Sequence, residues 1–245
     1  MASLKFTILL HRCYMQNPEI HIYKSAEEYA EESANAIEAF IKEELKEKGT
    51  VRIALSGGKS PIPVYQKLAE SKSFPWGRVY LFLTDERYVP LNSKESNYGM
   101  IAENIVDKVP SVRRFYHYNT RDQISTIVDQ YEKTLRAQDG SPLFDLVILG
   151  IGADGHTASL FPFDTALHEE KRLVAHTQNL DQNAQDRMTL TFPALMDSKK
   201  IIFLVQGKEK QKVMRDLTDG NQTIDQLPAK KILEHEDVEI FYCQN

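Results

Sequence analysis

Short apolar runs alternate along the chain with segments in which apolar residues recur every three or four positions. The short runs have the length and β-branched content of buried strands, whereas the wider spacing is typical of amphipathic helices. The predicted strands are residues 51–55, 79–83, 115–118, 144–149, 172–175, 201–205 and 238–242. Strands that alternate with helices indicate an α/β fold with a mostly parallel sheet that is covered by helices.

Capping residues predict where the helices begin. Ser25 and Glu28 have the spacing of a capping box, and the helical pattern after them continues to Gly49. Ser60 and Pro61 are predicted as the cap and the first residue of the next helix. Further helices are predicted over residues 124–135 and 207–217.

Charge and cysteine content restrict the partners and the location. The net charge of −5 argues against a nucleic-acid partner, because clustered positive charge holds a phosphate backbone. The apolar residues 4–10 are too few for a membrane span and are interrupted by Lys5. Cys13 and Cys243 have the spacing of neither a disulfide framework nor a metal site, so we expect a cytoplasmic protein without a bound metal.

The length of 245 residues allows one large domain or two small ones. The sequence contains no recognisable linker, repeat or low-complexity tract. We therefore expect an N-terminal extension of residues 1–17 and a single α/β domain over residues 18–245. The oligomeric state is left open, with a monomer slightly favoured.

The most informative segment is residues 147–162, where an apolar strand leads into a glycine-rich turn. Asp154 and His156 lie in this turn, past the carboxyl end of the strand, where the active sites of α/β sheets occur. Glycines such as Gly152 allow a tight turn whose exposed N–H groups can hold an anion. His156 changes charge nearest neutral pH, which makes it the candidate for proton transfer.

The same segment contains the pattern G-x-G-x-x-G, which is found in dinucleotide sites. We reject that interpretation because the pattern should open a long helix, and Pro162 prevents a continuous helix here. Glu169 and Glu170 also precede the next predicted strand, whereas the acidic residue of a dinucleotide site follows it. No dinucleotide cofactor is expected.

A second candidate is the loop Ser56-Gly57-Gly58-Lys59 after the strand 51–55. It places backbone N–H groups, a hydroxyl and a cation at the start of a predicted helix, where the helix dipole favours phosphate oxygens. An ordinary tight turn between a strand and a helix is the alternative. The loop lacks the spacing of a nucleoside-triphosphate P-loop.

Charged residues follow the strand 79–83. Asp85 and Arg87 would face a cleft if they lie at the carboxyl end of that strand, whereas charged runs elsewhere are usually solvated surface. Asn97, with the serine before it, is a further candidate, and capping of the next helix is its structural alternative.

Arg187 and Lys208 are candidate cations for a phosphate. Arginine offers a planar fork that matches phosphate oxygens, and lysine offers a point charge. Isolated cations on the surface of an α/β protein are the alternative.

Six motifs, taken in chain order, resemble the 6-phosphogluconolactonase family, and the resemblance extends from about residue 20 to the C-terminus. The stretch Gly-His-Thr-Ala-Ser-Leu-Phe-Pro is highly specific, whereas the serine-glycine-glycine turn is shared with related sugar-phosphate isomerases. The motifs are SGGKSP at 56–61, DER at 85–87, SN at 96–97, LGIGADGHTASLFP at 149–162, RMTLT at 187–191 and LPA at 227–229.

The resemblance implies a Rossmann-like α/β sheet with helices on both faces and no dinucleotide site, cofactor or metal. It implies a small-molecule partner, a sugar phosphate lactone. The expected reaction is hydrolysis of 6-phospho-D-glucono-1,5-lactone to 6-phospho-D-gluconate in the oxidative pentose phosphate pathway.

The resemblance also implies residue roles. His156 would act as base and then as acid, with Asp154 or Asp85 fixing its orientation. Arg87 would meet the oxyanion or orient the substrate. The residues expected to bind the substrate or its phosphate are Ser56, Gly57, Gly58, Lys59, Asn97, Gly152, Arg187 and Lys208.

Two residues depart from the family pattern. Lys59 stands where a small hydroxyl or an arginine is more common, and Asp186 stands where a proline commonly precedes the arginine. The phosphate contact of Lys59 and the geometry around Arg187 are therefore less closely defined by the resemblance.

Two other functions compete with lactone hydrolysis. The aminosugar-phosphate isomerase or deaminase branch continues its Asp-Gly-His motif with a glutamate that supports the histidine, whereas Phe161 occupies the corresponding position here. An apolar side chain cannot orient an imidazole, which argues against that chemistry. A non-catalytic sugar phosphate sensor would keep the pocket without turnover, and the Asp154–His156 pair argues for catalysis.

Overall fold

The computed structural model describes residues 18–179 and 185–245, so the predicted extension of residues 1–17 lies outside the described residues. Its strands are β1 (Glu19–Tyr23), β2 (Val51–Leu55), β3 (Val79–Leu83), β4 (Asp85–Arg87), β5 (Arg114–Tyr116), β6 (Phe144–Leu149), β7 (Val174–Asn179), β8 (Gln185–Leu190), β9 (Ser198–Gln206) and β10 (Val238–Cys243). Its α-helices are α1 (Ala26–Glu47), α2 (Ile62–Glu70), α3 (Asn97–Ile101), α4 (Ile124–Arg136), α5 (Phe192–Met196), α6 (Gln211–Asp219) and α7 (Ala229–Ile232). Within these two ranges, no helix combines the length and the apolar character needed to cross a lipid bilayer.

Seven strands form one sheet in the order β1-β10-β9-β6-β2-β3-β5, and every neighbouring pair is parallel. We call it the parallel sheet. Its central strand, β6, is buried along all six residues, as expected for a parallel strand that is covered on both faces. The predicted α/β class with a mostly parallel sheet is confirmed, whereas the assignment of residues 18–245 to a single domain stays a prediction.

The strand predictions are most accurate for the strands with the longest apolar runs. The bounds of β2, β3 and β6 match the predictions, while β5, β7, β9 and β10 begin or end a few residues away. No strand is predicted at β1, β4 or β8. β1 is an edge strand in which His21 interrupts the apolar residues, and β4 and β8 begin with polar or charged residues.

The helix predictions are correct in position and differ at their first residues. Ser25 caps α1 as predicted by accepting a hydrogen bond from the backbone N–H of Glu28 at 3.3 Å. The predicted cap Ser60 does not cap α2, because its hydroxyl accepts from the backbone N–H of Gln206 at 3.1 Å. The predicted helix 207–217 begins with a 3₁₀ turn before α6.

The strand order reverses direction between β2 and β6. From β2 the chain proceeds through β3 to β5 at one edge, and it then returns to place β6 on the other side of β2. From β6 it continues through β9 to β10 in the opposite direction. The loops that follow β2 and β6 therefore diverge, and such a switch point leaves a crevice at the carboxyl ends of the strands.

A second sheet of three strands lies beside this crevice. It has the order β4-β8-β7 with antiparallel pairs, and we call it the antiparallel sheet. Thr84 joins it to the parallel sheet: its N–H donates to Leu55 O at 3.0 Å, and its carbonyl accepts from Leu190 N at 2.7 Å. The antiparallel sheet thus begins where β3 ends.

Candidate active site

A cleft of about 240 Å³ opens at the switch point. Its walls come from the loop after β2, from the loop after β6 and from the antiparallel sheet. The predicted site residues that line it are Ser56, Gly57, Gly58, Lys59, Asp85, Arg87, Asn97, Gly152, His156 and Arg187. The structure therefore brings together residues that are more than 100 positions apart in the sequence.

His156 and Asp154 form a hydrogen-bonded pair in the loop after β6. The imidazole Nδ1 lies 2.6 Å from Asp154 Oδ1, and the His156 backbone N–H donates to the same oxygen at 3.2 Å. Burial opposes the charge of Asp154, but the hydrogen bonds and the charge of His156 outweigh it and lower the pKa of Asp154. An ionised carboxylate only accepts, so Nδ1 carries the proton and Nε2 is left as the basic nitrogen.

The backbone around this pair is held by a tight turn. Gly152 donates its N–H to His156 O at 2.8 Å, and its carbonyl accepts from Gly155 N at 3.0 Å. A Cβ atom at residue 152 would overlap both the His156 ring and the Asp154 carboxylate. Gly152 is therefore required for close approach, because no other residue leaves room for the two functional groups.

Phe161 packs against the catalytic candidate. Its ring centroid lies 4.9 Å from that of His156, and the two rings are tilted by 53°. Phe161 fixes one side of the imidazole by packing and provides no proton acceptor. The carboxylate that the isomerase branch is expected to use at this position is thus replaced by an apolar contact.

The loop after β2 offers polar groups at the start of α2. Gly58 has a φ of 88°, which glycine adopts at no steric cost. The Ser56 hydroxyl oxygen is buried and has no hydrogen-bond partner among the described residues. Because buried polar groups are normally paired, this hydroxyl is available for a ligand group.

Two arginines lie side by side in the antiparallel sheet. Arg87 on β4 and Arg187 on β8 are Cα partners, which places their side chains on the same face. Arg87 donates to the carbonyl of Glu95, and Arg187 donates to the side-chain oxygen of Gln185. Burial, and then the charge of Arg87, lower the pKa of Arg187. The face therefore concentrates positive charge in a partly desolvated wall of the cleft, which favours an anion.

Asp85 and Asn97 line the cleft but are held by protein groups. Asp85 accepts hydrogen bonds from Ser159 Oγ at 2.6 Å and from Thr84 Oγ1 at 2.9 Å. Asn97 donates its side-chain N–H to Asp85 O at 2.9 Å and is 2% exposed. Of the two carboxylates considered for orienting His156, Asp154 makes the contact and Asp85 is engaged by hydroxyl groups.

Lys208, the second predicted phosphate cation, does not line the cleft, whereas Lys210 does. Gly207 has a φ of 115°, and a 3₁₀ turn over Lys208–Lys210 follows it. In a helix with three residues per turn, positions 208 and 210 point in different directions. Lys210 is thus the lysine of this turn that borders the cleft, and a contact of Lys208 with the phosphate stays a prediction.

Glu86 and Ser159 also contribute to the site, although neither is among the predicted site residues. Glu86 lies between two cleft residues on β4, and because strand side chains alternate it points to the opposite face. Ser159 reaches Asp85, which is 74 residues earlier in the chain. The alternation of Asp85, Glu86 and Arg87 could have indicated the first of these, whereas no local signal indicates the second.

Most of the chain is similar to known proteins. The family model described as "Glucosamine-6-phosphate isomerases/6-phosphogluconolactonase" matches residues 24–241. A 6-phosphogluconolactonase from Thermotoga maritima is 40% identical over 191 residues, which cover 77% of this chain and 84% of the relative. A probable 6-phosphogluconolactonase from Dictyostelium discoideum is 32% identical over 223 residues, covering 88% of this chain and 94% of the relative.

Solved structures agree with the sequence relatives. The crystal structure of 6-phosphogluconolactonase from Thermotoga maritima superposes with a TM-score of 0.78 at 34% identity, covering 92% of this chain and 99% of that one. The crystal structure of a 6-phosphogluconolactonase from Shewanella baltica gives a TM-score of 0.84 at 25% identity. The chain therefore belongs to the family of glucosamine-6-phosphate isomerases and 6-phosphogluconolactonases, within its 6-phosphogluconolactonase branch.

Proposed function

We propose that the protein hydrolyses 6-phospho-D-glucono-1,5-lactone to 6-phospho-D-gluconate, as part of the oxidative pentose phosphate pathway in the cytoplasm. The observation that carries the proposal is the pairing of His156 with Asp154 in the same cleft as two arginines. A proton acceptor next to an anion-binding wall suits a substrate that has an ester carbonyl at one end and a phosphate at the other.

The reaction needs one group that moves protons. His156 Nε2 takes a proton from a water molecule as the water oxygen attacks the lactone carbonyl, and Asp154 stabilises the imidazolium that forms. The carbonyl oxygen then carries negative charge in the tetrahedral intermediate. Collapse of the intermediate breaks the bond to the ring oxygen, which receives the proton from His156.

The cleft offers positive groups for both ends of the substrate. The phosphate binds to the loop Ser56–Lys59, Arg187 and Lys210, all of which line the cleft. Arg87 meets the oxyanion or orients the ring. Binding of the remote phosphate holds the carbonyl in register with the attacking water.

Replacement of His156 by alanine tests the proposal. Because these lactones also open spontaneously, rates are measured at slightly acidic pH with and without protein. We expect His156→Ala to lower kcat by about 10²–10⁴-fold, the usual contribution of a general acid–base, with little change in KM. The matched control is His168→Ala, since His168 pairs with Asp225 at 2.9 Å and does not line the cleft.

Two outcomes would contradict the proposed function. Turnover that His156→Ala leaves unchanged would refute the role of His156. A wild-type protein that the sugar phosphate stabilises against heat, but that does not accelerate lactone opening, would be a sensor instead of an enzyme.

A further inference from the structure

Glu86 is a carboxylate with no exposure to solvent. Its Oε1 accepts from the backbone N–H groups of Arg87 at 2.8 Å and Asn97 at 2.7 Å. Its Oε2 accepts from Tyr98 N at 2.8 Å and from Ser96 Oγ at 2.9 Å. Burial raises the pKa of Glu86, and these four donors oppose that rise. Three of the four donors belong to the cap and first turn of α3, so Glu86 ties the start of α3 to β4.

Asn97 is the first residue of α3 and contacts two walls of the cleft. Its side-chain nitrogen donates to Asp85 O at 2.9 Å. Its side-chain oxygen lies against Gly57, at a place where a Cβ atom on residue 57 would overlap it. This oxygen only accepts, and one of the two side-chain N–H groups already donates to Asp85. The packing against Gly57 is therefore a supporting contact, separate from any hydrogen bond that the second N–H donates to a ligand.

We propose that Glu86 and Asn97 are positioning residues that set the phosphate-binding geometry of the loop Ser56–Lys59. Glu86 fixes the start of α3, and Asn97 transmits that position to Gly57 through direct packing. The inference rests on the proposed function, because it assigns the loop to the phosphate of the lactone. Neither residue contacts the His156–Asp154 pair, so the effect falls on binding and leaves proton transfer unchanged.

A double-mutant cycle between residues 57 and 97 tests the packing contact. We expect Gly57→Ala to raise KM for the phosphorylated lactone by about 10–100-fold, because the added Cβ displaces Asn97 or the loop. Asn97→Ala alone should raise KM by about 3–10-fold through loss of support. The double variant should bind better than Gly57→Ala, because the truncated residue 97 makes room for the new Cβ. Strictly additive effects would overturn the proposal.

Replacement of Glu86 tests the contacts between this carboxylate and the start of α3. Glu86→Gln replaces one of the two acceptor oxygens by an NH2 group that faces an N–H donor, so we expect KM to rise by about 10-fold with kcat within about twofold of the wild type. Glu86→Asp keeps the charge and should restore part of the affinity. Glu132→Gln removes another largely buried, multiply bonded carboxylate, on α4 and outside the cleft, and should leave KM unchanged.

Calorimetric binding of 6-phosphogluconate separates this inference from the proposed function. A wild-type protein without lactonase activity would refute the function, yet the order of affinities among the variants would still test the positioning residues. A Glu86→Gln variant that unfolds more easily but keeps the wild-type affinity and KM would show that Glu86 only caps α3. If the Glu86→Gln variant does not fold, the double-mutant cycle between residues 57 and 97 decides whether the loop depends on its contact with α3.

Discussion

The two sheets differ in composition and in what they contribute to the site. The parallel sheet consists largely of apolar residues, and its strand β6 is buried throughout. The antiparallel sheet buries polar side chains instead, including Asp85, Glu86, Arg187 and Thr189. The first sheet supplies a rigid edge from which loops extend, and the second supplies charged side chains directly from its strands.

This difference indicates that stability and substrate binding depend on different parts of the molecule. Burial of apolar area is the main stabilising contribution, whereas burial of an unpaired charge is unfavourable. The antiparallel sheet therefore keeps a buried arginine, Arg187, whose charge costs stability and would be compensated by an anionic ligand. Substitutions in the two sheets should have separable effects.

The largest expected effect is on stability. Leu146 on β6 is fully buried, and Leu146→Ala should lower the free energy of unfolding by about 2–5 kcal/mol, as large-to-small core substitutions do. KM of the folded fraction should stay close to the wild-type value. Urea unfolding followed by fluorescence, together with steady-state kinetics, checks both parts. A change in KM as large as that of an arginine variant would contradict the proposal that stability depends on one sheet and substrate binding on the other.

The second effect is on binding. Arg187→Met removes a charge-assisted contact to phosphate, so KM should rise about 10–100-fold with a smaller change in kcat. Because burial and Arg87 lower the pKa of Arg187, its charged form is disfavoured in the folded state. The ligand-free variant should therefore be as stable as the wild type or more stable. Thermal unfolding with and without 6-phosphogluconate measures this, and a normal KM would count against the arginine as a phosphate ligand.

The smallest effect concerns a carboxylate remote from the cleft. Burial opposes the charge of Glu132, but hydrogen bonds from Arg172 and Arg136 outweigh it and lower the pKa of Glu132 from its ordinary value. The ionised form thus stabilises the fold above the unfolded-state pKa, and this contribution is lost as the pH falls through the folded-state pKa.

Glu132→Gln should therefore lower the free energy of unfolding by about 0.5–1 kcal/mol near neutral pH. The difference from the wild type should disappear in acid. Urea unfolding at a series of pH values checks the trend. A difference that grows toward acid pH would show that the ion pairs do not account for it.

The sequence predicts the parallel sheet well because its strands are recognisable from local composition. β2, β3 and β6 are uninterrupted or nearly uninterrupted apolar runs between turns. β4 has three charged residues and β8 begins with three polar residues, so neither has an apolar run at its start. Their pairing depends on contacts between residues about 100 positions apart, which no local pattern contains.

The candidate site shows the same limit, because local sequence predicts only contacts between neighbouring residues. Asp154 and His156 are two residues apart, so their contact follows from the turn that the glycines predict. The packing of Asn97 against Gly57 and the position of Lys210 at the cleft depend on how distant segments pack. Sequence reasoning therefore identified most of the residues around the cleft and could not assign which of them support others.

The absence of a side chain at Gly152 has a consequence for how the activity of this fold could be lost. The His156–Asp154 pair occupies the volume that the first side-chain carbon of any other amino acid would fill. One added carbon atom would thus displace the imidazole and the carboxylate that orients it, while the arginines and the serine-glycine loop stayed in place. On the proposed mechanism, a single carbon atom at residue 152 therefore separates a hydrolase from a protein that binds its ligand without turnover.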